Sequence, residues 1–303
     1  MISGETPHFT SMEEALHTLF GSSVGIVQSR RAGGGDCNEA RLLRLSDGTQ
    51  VFLKANTKEN APLFQAEAVG LSAIARTKTI GTPHVLCTGT EPGRGGSAFL
   101  LLEYLESGRC CDYWETFGRR LAAMHQAEAA DFVTGGRYGF MMDNYIGMGK
   151  QCNTAYESWT GFFRDCRLDP QFERAAGYFD GTGRKKAARV LDRIEGFLTE
   201  PDHPSLLHGD LWSGNVITGK DGHAWLIDPA AYVGHAESDL AMTELFGGFP
   251  RAFYRAYQEA APLQPGYESR RDLYHLYHLL NHLNLFGGVY LPAVMRIVER
   301  YGG

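Results

Sequence analysis

The chain has 303 residues, 43% of them hydrophobic and 21% charged, and its formal net charge is −6 at pH 7. This length suits two domains or one large bilobal unit and is sufficient for a hydrophobic core. The negative net charge argues against a protein that binds nucleic acid through its phosphates. No stretch approaches the ~20 apolar residues of a membrane helix, and the N-terminus lacks the basic and apolar parts of a signal peptide. We therefore expect neither a nucleic-acid nor a membrane partner.

The cysteines indicate a compartment. Six of them are scattered along the chain, without the C-x-x-C pairs that zinc sites favour. Scattered thiols without a disulfide framework are typical of a reducing environment. We therefore expect a cytoplasmic location.

The first third of the chain has the pattern of a small β-rich lobe with two helices. Ser11 and Glu14 match the capping box that begins a short helix, and Gly21 ends it. Glycines and the Asp47–Gly48 pair separate strand-like runs, which predicts an antiparallel meander. The predicted elements are a helix over 11–20, strands within 24–54, a helix over 62–77, and strands near 84–88 and 97–104.

After Tyr104 the pattern becomes mostly helical, with one short β-hairpin over 215–228. The sequence therefore predicts an α+β, bilobal fold with a small antiparallel β lobe over 1–104 and a larger, mostly helical lobe over 105–303. The predicted helices of the second lobe span 112–125, 155–167, 184–198, 240–246, 253–261, 270–285 and 292–300.

The stretch 208–229 carries the residues with the clearest chemistry. Asp221–Gly222 is a strong signal for a two-residue turn, and a turn centred there pairs Asn215 with Asp228 at the open end of the hairpin. Asp210 lies five positions before Asn215, in the preceding loop. The pattern predicts that three oxygen-bearing side chains converge on one spot.

Such a set of side chains suits phosphoryl transfer. Mg²⁺ prefers oxygen ligands, so Asn215 and Asp228 are candidates for the metal. Asp210 is the candidate that orients a hydroxyl and accepts its proton. The order Asp-x-x-x-x-Asn, followed by Asp after a hairpin, matches kinases that use ATP and Mg²⁺. The competing interpretation is a loop with solvated polar groups.

The β-rich lobe is expected to hold the nucleotide. Lys54 ends the strand-like run VFLK, and Glu67 follows on the next predicted helix beside the apolar residues Leu63 and Leu71. A strand lysine paired with a helix glutamate holds the α- and β-phosphates in kinases, and an acidic group beside an apolar face needs a partner. The competing interpretation is a surface lysine and a solvated glutamate.

A glycine-rich stretch over 33–38 lies between the first two strands of the meander. Gly34 and Gly35 would let backbone N–H groups approach phosphates closely, although the stretch is neither G-x-G-x-x-G nor a Walker A motif, and a flexible loop is the alternative. Cys37 lies in the same stretch, where a bound lysine or a helix end depresses a thiol pKa. It is a candidate redox-sensitive thiol, with an inert buried thiol as the alternative.

The sequence resembles the fructosamine kinase (ketosamine-3-kinase) family and, more widely, aminoglycoside phosphotransferases and choline kinases of the protein-kinase-like fold. Three stretches carry most of the resemblance: LLHGDLWSGNV over 206–216, IDPAAYVGHAESDLAMTELFGGF over 227–249 and LYHLYHLLNHLNLFGG over 273–288. With shorter pieces they cover nearly the whole chain. HGDLWSGN together with DPA-x-x-x-GH-x-E is specific, whereas a bare HGD also occurs in the wider relatives.

The resemblance implies a role for individual residues. The roles are a catalytic base (Asp210), Mg²⁺ ligands (Asn215 and Asp228), a phosphate-anchoring pair (Lys54 and Glu67) and a hinge that receives adenine (Glu103 to Leu105). Asp239 matches an acidic position that steadies the catalytic loop in relatives, with an indirect role through other residues or helix capping as the alternatives to a direct one. The implied activity is ATP-dependent phosphorylation of the 3-hydroxyl of a ketosamine or glycated lysine, which leads to release of the amine.

Two further positions are candidates for substrate contacts. Trp212 follows Asp210 by two positions and would present its ring to the sugar; the alternative is a buried loop anchor. His275, His278 and His282 share one helical face. We expect satisfied core histidines there rather than a metal site, with a hydrogen bond to substrate hydroxyls as a second role for His282.

Other functions stay open at this point. A choline kinase would need an aromatic cage, and an aminoglycoside kinase would need an acidic pocket near the C-terminus, where this chain has few acids. A non-catalytic pseudokinase would have lost one of four residues that are all present (Lys54, Asp210, Asn215 and Asp228). The sequence is compatible with a monomer or a homodimer.

Overall fold

The computed structural model describes residues 6–33, 38–93 and 95–303. Gly34, Gly35 and Cys37 lie outside the described residues, so their roles stay predictions. Within the described ranges, no helix combines the length and apolar character that are needed to cross a membrane.

The first elements confirm the predicted alternation of strands and two helices. Ser11 caps the first helix as expected, because its hydroxyl accepts a hydrogen bond of 3.1 Å from the N–H of Glu14. The elements are β1 (His8–Phe9), α1 (Met12–Phe20), β2 (Ile26–Arg31), β3 (Glu39–Leu45), β4 (Gln50–Thr57), α2 (Ala61–Arg76), β5 (Val85–Thr90) and β6 (Ser97–Glu103).

The rest of the described chain is mostly helical, as predicted. The helix expected over 155–167 is wrong in its extent, because α-helical residues begin at Trp159 and a π-helical turn, Arg164–Leu168, separates two short helices. The elements are α3 (Tyr113–Gln126), β7 (Asn144–Ile146), β8 (Gly149–Gln151), α4 (Trp159–Phe163), α5 (Asp169–Arg174), α6 (Gly181–Arg193), β9 (Ser205–Leu207), β10 (Val216–Thr218), β11 (Ala224–Leu226), β12 (Tyr232–Gly234), α7 (Glu237–Leu245), α8 (Arg251–Ala260), α9 (Tyr267–Phe286) and α10 (Leu291–Gly302).

The chain forms two compact units. The sheet unit contains the residues up to Tyr113 together with Val216–Asp228, and the helical unit contains Trp114–Asn215 and Pro229–Gly303. The hairpin of β10 and β11 is therefore part of the sheet unit, although the sequence around it is helical. The predicted domain boundary at residue 104 stays a prediction.

The sheet unit is built on a six-stranded sheet in the order β1-β5-β6-β4-β3-β2, in which β1 and β5 are parallel and the other pairs antiparallel. Alternation along β6 gives the sheet two buried faces. Phe99 and Leu101 pack in one cluster with α1, whereas Leu100 packs in another with α2. On α2, Leu63 is only half-buried, and the neighbouring Phe64 holds the buried position that the sequence assigned to Leu63.

The helical unit encloses α7. Every residue from Glu237 to Thr243 is buried, which is the pattern of a helix packed on all sides. Arg270 of α9 neutralises the buried carboxylate of Glu237 through two hydrogen bonds of 2.9 and 2.5 Å. This bidentate pairing lets α7 carry a charge into the core without leaving it unpaired.

The two-residue turn predicted at Asp221–Gly222 is wrong. Val216 pairs with Leu226 across the hairpin, which shifts the register by one position from the predicted one. Asn215 is therefore not the cross-strand partner of Asp228. The loop instead contains three residues, because the N–H of Gly219 donates to the carbonyl of His223 at 2.9 Å.

A glycine with left-handed backbone closes the longer loop. Gly222 has a φ of +76° and is the left-handed last residue of a three-residue hairpin loop. The β3–β4 loop has the same construction, with Gly48 at a φ of +91°. In each loop the preceding aspartate, Asp47 or Asp221, accepts a hydrogen bond from the backbone N–H two residues on.

These two loops give a matched pair of substitutions. Gly48→Ala adds a methyl group in open space and is expected to cost about 1 kcal/mol for the left-handed backbone. Gly222→Ala adds the same strain and places the new carbon 2.5 Å from the backbone carbon of Arg109. We expect a clearly larger loss of unfolding free energy for Gly222→Ala in urea titrations, and equal losses would contradict the described loop contact.

Candidate functional site

Lys54 is positioned by the alternation of β4. Phe52, two positions earlier, packs with the α2 cluster, and alternate residues of a strand face the same side. Lys54 therefore faces α2, where Glu67 follows the buried Phe64 by three positions on the helix. The periods of a strand and a helix thus bring the two predicted partners together.

Lys54 lies between two carboxylates within the sheet unit. Its ammonium is 2.6 Å from Oε1 of Glu67 and also forms an ion pair with Asp228. The lysine is only 7% exposed, whereas the Asp228 side chain is 36% exposed. A buried ammonium needs such partners because it has lost its hydration. The interpretation of Lys54 as a surface lysine is therefore wrong.

The β10–β11 hairpin delivers Asp228 to this cluster. The N–H of Leu226 donates to the carbonyl of Gly81 at 2.8 Å, and the Trp225 ring lies so close to Gly81 that a β-carbon there would be 2.5 Å from it. Two residues after Leu226, Asp228 has a φ of +55°. Non-glycine residues are uncommon in that left-handed region and concentrate at functional sites.

The charges of the cluster shift one another's pKa values. Burial lowers the pKa of Lys54, but the carboxylates of Asp228 and Glu67 outweigh burial, and the pKa is raised above its ordinary value. Burial raises the pKa of Glu67 to about 7, with Lys54 opposing and Asp228 adding to the shift. The ammonium of Lys54 therefore stays charged at neutral pH, where Glu67 is close to its own pKa.

The backbone of the loop that contains Asp210 is hydrogen-bonded to the side chain of Asp239. The backbone N–H groups of His208 and Gly209 donate to the two oxygens of this carboxylate at 2.7 and 2.8 Å. Gly209 has a φ of +82°, and a β-carbon there would lie 2.1 Å from the carbonyl oxygen of Ala230. Asp239 thus binds the loop backbone directly, as the resemblance implied.

Asp239 is itself held as an anion. Burial would raise the pKa of Asp239, but hydrogen bonding from His125 and nearby charge hold it below the ordinary value. Nε2 of His125 is 3.2 Å from Asp239, and Nδ1 is 2.8 Å from the hydroxyl of Tyr257. His125 was missed from the sequence, because His125, Asp239 and Tyr257 are far apart along the chain.

Asn215 fixes Asp210 within the helical unit. Its side-chain amide nitrogen donates to the backbone carbonyl of Asp210 at 2.8 Å and to the carboxylate at 3.2 Å. Asn215 is buried, and Asp210 is half-buried. The structure therefore brings together Asp210 with Asn215, and separately Lys54 with Glu67 and Asp228. A shared metal site of Asn215 and Asp228 stays a prediction.

The predicted hinge lies at the end of β6. Glu103 is the last residue of that strand, pairs with Val51 of β4, and donates its N–H to the carbonyl of His84 at 2.9 Å. Leu105 follows outside the strand and is half-buried. Adenine binding at these residues stays a prediction.

Trp212 is not a buried anchor, because 39% of its surface is exposed. Its ring packs over Gly214, where an added β-carbon would lie 2.3 Å from the ring. The glycine therefore makes room for an aromatic face on the loop that follows Asp210. A sugar contact at Trp212 stays a prediction.

The three histidines of α9 have different environments. Nδ1 of His282 contacts the carbonyl of His278 at 2.8 Å, and its ring packs against Phe246 at 4.6 Å. His278 is buried, but its Nδ1 has no hydrogen-bond partner, so the expectation of a satisfied histidine is wrong at that atom. No group of three or more His, Cys, Asp or Glu side chains in the described ranges is arranged to hold a metal ion.

A buried polar network around Arg167 was missed from the sequence. Arg167 is fully buried, with its guanidinium 3.9 Å from the centre of the Tyr232 ring. It donates to the side chain of Asn153 at 2.8 Å, and Asn153 donates to Asn144 at 2.9 Å. Asn144 in turn donates to the carbonyl of Ala231 at 2.7 Å. The available signal was Arg167 in the aromatic-rich stretch WTGFFRDCRL over 159–168, because arginine is rarely buried without partners.

The chain matches known sequences over almost its whole length. The sequence profile described as Fructosamine kinase matches residues 8–302. A probable ketoamine kinase from Synechocystis sp. is 40% identical over 279 residues, which cover 90% of each chain. The chloroplastic protein-ribulosamine 3-kinase of Oryza sativa subsp. indica is 38% identical over 286 residues, covering 93% of this chain and 80% of the relative.

Solved structures agree with these matches. The crystal structure of a putative fructosamine-3-kinase from Haemophilus somnus 129PT has a TM-score of 0.84 and 29% identity, with 96% of both chains covered. An aminoglycoside phosphotransferase crystallised with AMP-PNP and hygromycin B has a TM-score of 0.61 at 18% identity, covering 97% of this chain and 98% of that one, a likeness of fold alone. The fold is α+β and protein-kinase-like, as predicted.

The environment of His278 gives a pH-dependent stability. Burial lowers the pKa of His278 to about 3, so between pH 6.5 and 3 the unfolded chain binds a proton that the folded chain does not. The stabilisation is complete above pH 6.5 and is lost as the pH falls. When the pH falls from 7 to 5, the unsubstituted protein is expected to lose about 2 kcal/mol more unfolding free energy than the His278→Gln variant. Denaturant titrations at both pH values test this, and parallel losses would contradict it.

Proposed function

Because the chain belongs to the fructosamine kinase family, we propose that it uses ATP to phosphorylate the 3-hydroxyl of ketosamines. The chain is a phosphotransferase with an alcohol group as acceptor. The proposed acceptors are fructosamine and ribulosamine adducts of amines or protein lysines. The names of its relatives, ketoamine kinase and protein-ribulosamine 3-kinase, support this choice.

The buried ion cluster of Lys54 is the observation that carries the proposal. An ammonium held by Glu67 and by a half-exposed Asp228 has a fixed position and a fixed charge. Such a group suits the binding of phosphate oxygens, and a pseudokinase would have no need to retain all three residues. Lys54 is proposed to donate hydrogen bonds to the nucleotide phosphates.

Asp210 is proposed to orient the acceptor hydroxyl and to take its proton. Its backbone is held by Asn215 and by the His208 ring, and Asp239 fixes the two residues before it. Phosphoryl transfer depends mainly on such positioning and on neutralisation of charge. Proton uptake by Asp210 comes late, because the transition state is loose.

Asp228 and Asn215 are the proposed ligands of Mg²⁺. Asp228 offers a carboxylate that is 36% exposed. The amide nitrogen of Asn215 is engaged by Asp210, so its Oδ1 is the atom that remains for a cation. Hard oxygen ligands of this kind are those that Mg²⁺ prefers, and the ion, when bound, supplies charge neutralisation at the phosphate oxygens.

The proposed product is a ketosamine 3-phosphate. This product decomposes and releases the amine, so the activity would reverse the glycation of amines or protein lysines. A cytoplasmic location is part of the proposal, on the ground of the scattered thiols.

Mass spectrometry of fructoselysine and ribuloselysine, incubated with ATP, Mg²⁺ and the protein, tests the activity. We expect a product heavier by one phosphoryl group, followed by free lysine. Choline and kanamycin serve as competing acceptors in parallel reactions. Phosphorylation of either competitor, with none of the two ketosamines, would contradict the proposed substrate class.

The same assay tests the role of Asp210. Asp210→Asn keeps the size of the side chain but removes the base, and we expect turnover to fall by at least about 100-fold. Nucleotide affinity, measured by calorimetry, should stay within about twofold of the unsubstituted protein. Near-normal turnover in this variant would exclude Asp210 as the base.

A further inference from the structure

Two cysteine thiols lie side by side in the helical unit. Sγ of Cys152, just after β8, is 3.3 Å from Sγ of Cys166 in the π-helical turn. Cys152 is half-buried, whereas Cys166 is only 4% exposed. Fourteen positions separate them along the chain, so the fold and not the local sequence brings them together.

One buried arginine binds the backbone of both cysteines. Nη1 of Arg167 donates to the carbonyl of Cys152 at 2.5 Å and to the carbonyl of Cys166 at 3.0 Å. The segment after β8, which carries Cys152, and the π-helical turn, which carries Cys166, are therefore both hydrogen-bonded to the same guanidinium. This arrangement holds the sulfurs next to each other in the reduced protein.

The arginine also connects the cysteines to the support of the Asp210 loop. Its second terminal nitrogen, Nη2, donates to the side chain of Asn153. Asn153 donates to Asn144, and Asn144 donates to the carbonyl of Ala231. The neighbouring residue, Ala230, donates its N–H to the carbonyl of His208 at 2.9 Å. Cys152 and Asn153 thus belong to the same hydrogen-bonded network as the Asp210 loop.

We propose that Cys152 and Cys166 form a reversible intramolecular disulfide under peroxide, and that this bond lowers turnover by displacing the support of the Asp210 loop. Bond formation closes the sulfurs from 3.3 Å to about 2.05 Å. The movement shifts one or both carbonyls that Arg167 binds. A displacement of about 1 Å in the support of a catalytic group is enough to reduce its rate.

The chemistry balances with hydrogen peroxide as the oxidant. The more exposed thiol, Cys152, is oxidised to a sulfenic acid, and peroxide is reduced to one water molecule. The sulfur of Cys166 then attacks the Cys152 sulfur, which forms the S–S bond and releases a second water. Burial raises the pKa of Cys166 to about 12, so Cys166 is the resolving thiol and not the one that peroxide attacks first.

Peptide mapping tests the bond independently of any kinase activity. Trypsin cleaves after Lys150, Arg164 and Arg167, which places the two cysteines in separate peptides, 151–164 and 165–167. The experiment uses the full chain with Cys37, Cys110 and Cys111 replaced by serine, so that these thiols do not interfere. After peroxide treatment we expect these two peptides to be linked, and dithiothreitol to separate them.

Two single variants serve as controls in that background. Cys152→Ser and Cys166→Ser are each expected to abolish the linked peptides, and the use of both variants guards against a folding defect in one. Recovery of the two peptides unlinked after peroxide, in a folded protein that carries both cysteines, would overturn the proposal.

The effect on turnover rests on the proposed function and is measured separately. Peroxide is expected to lower ketosamine kinase turnover by about tenfold or more, dithiothreitol to restore it, and Cys152→Ser to be insensitive. A linked peptide pair with unchanged turnover would overturn the proposed coupling to the loop. Failure of the ketosamine assay itself would leave the peptide map as an intact test of the disulfide.

Discussion

A buried ammonium between two carboxylates is the constraint on which the sheet unit depends. Lys54 has almost no contact with solvent, so its charge is tolerated only because Glu67 and Asp228 face it. One partner comes from a helix that packs on the sheet, and the other from a hairpin more than a hundred residues later in the sequence. The cluster therefore requires that sheet, helix and hairpin are all in place.

In the helical unit, a buried carboxylate fixes the loop that contains Asp210. Asp239 brings a carboxylate into the core on α7 and uses both oxygens to hold backbone N–H groups of His208 and Gly209. A β-carbon at Gly209 would collide with the carbonyl of Ala230, so close packing adds to hydrogen bonding. Asp210 projects from a loop whose backbone has little freedom, which is the condition for catalysis by positioning.

Periodicity and motif order were sufficient for part of this description. The helical pattern of α2 and the strand-lysine and helix-glutamate pairing of kinases placed Lys54 with Glu67, and the motif around Asp210 indicated the kinase class. The hairpin register was predicted wrongly, because an Asp-Gly pair fits loops of two or three residues, and the glycine has a positive φ in both. The pairing of Val216 with Leu226 in the folded hairpin is what distinguishes them. The network around Arg167 was invisible for another reason, since its partners meet only after the chain has folded.

Isothermal titration of ATP and of adenosine against Lys54→Met tests whether Lys54 binds the nucleotide phosphates. The variant removes the ammonium but leaves any adenine contacts intact. We predict that ATP affinity falls by tenfold or more, which corresponds to about 1.4 kcal/mol, while adenosine affinity stays unchanged. ATP binding as tight as that of the unsubstituted protein, or an equal loss for both ligands, would contradict the claim that Lys54 binds the nucleotide phosphates.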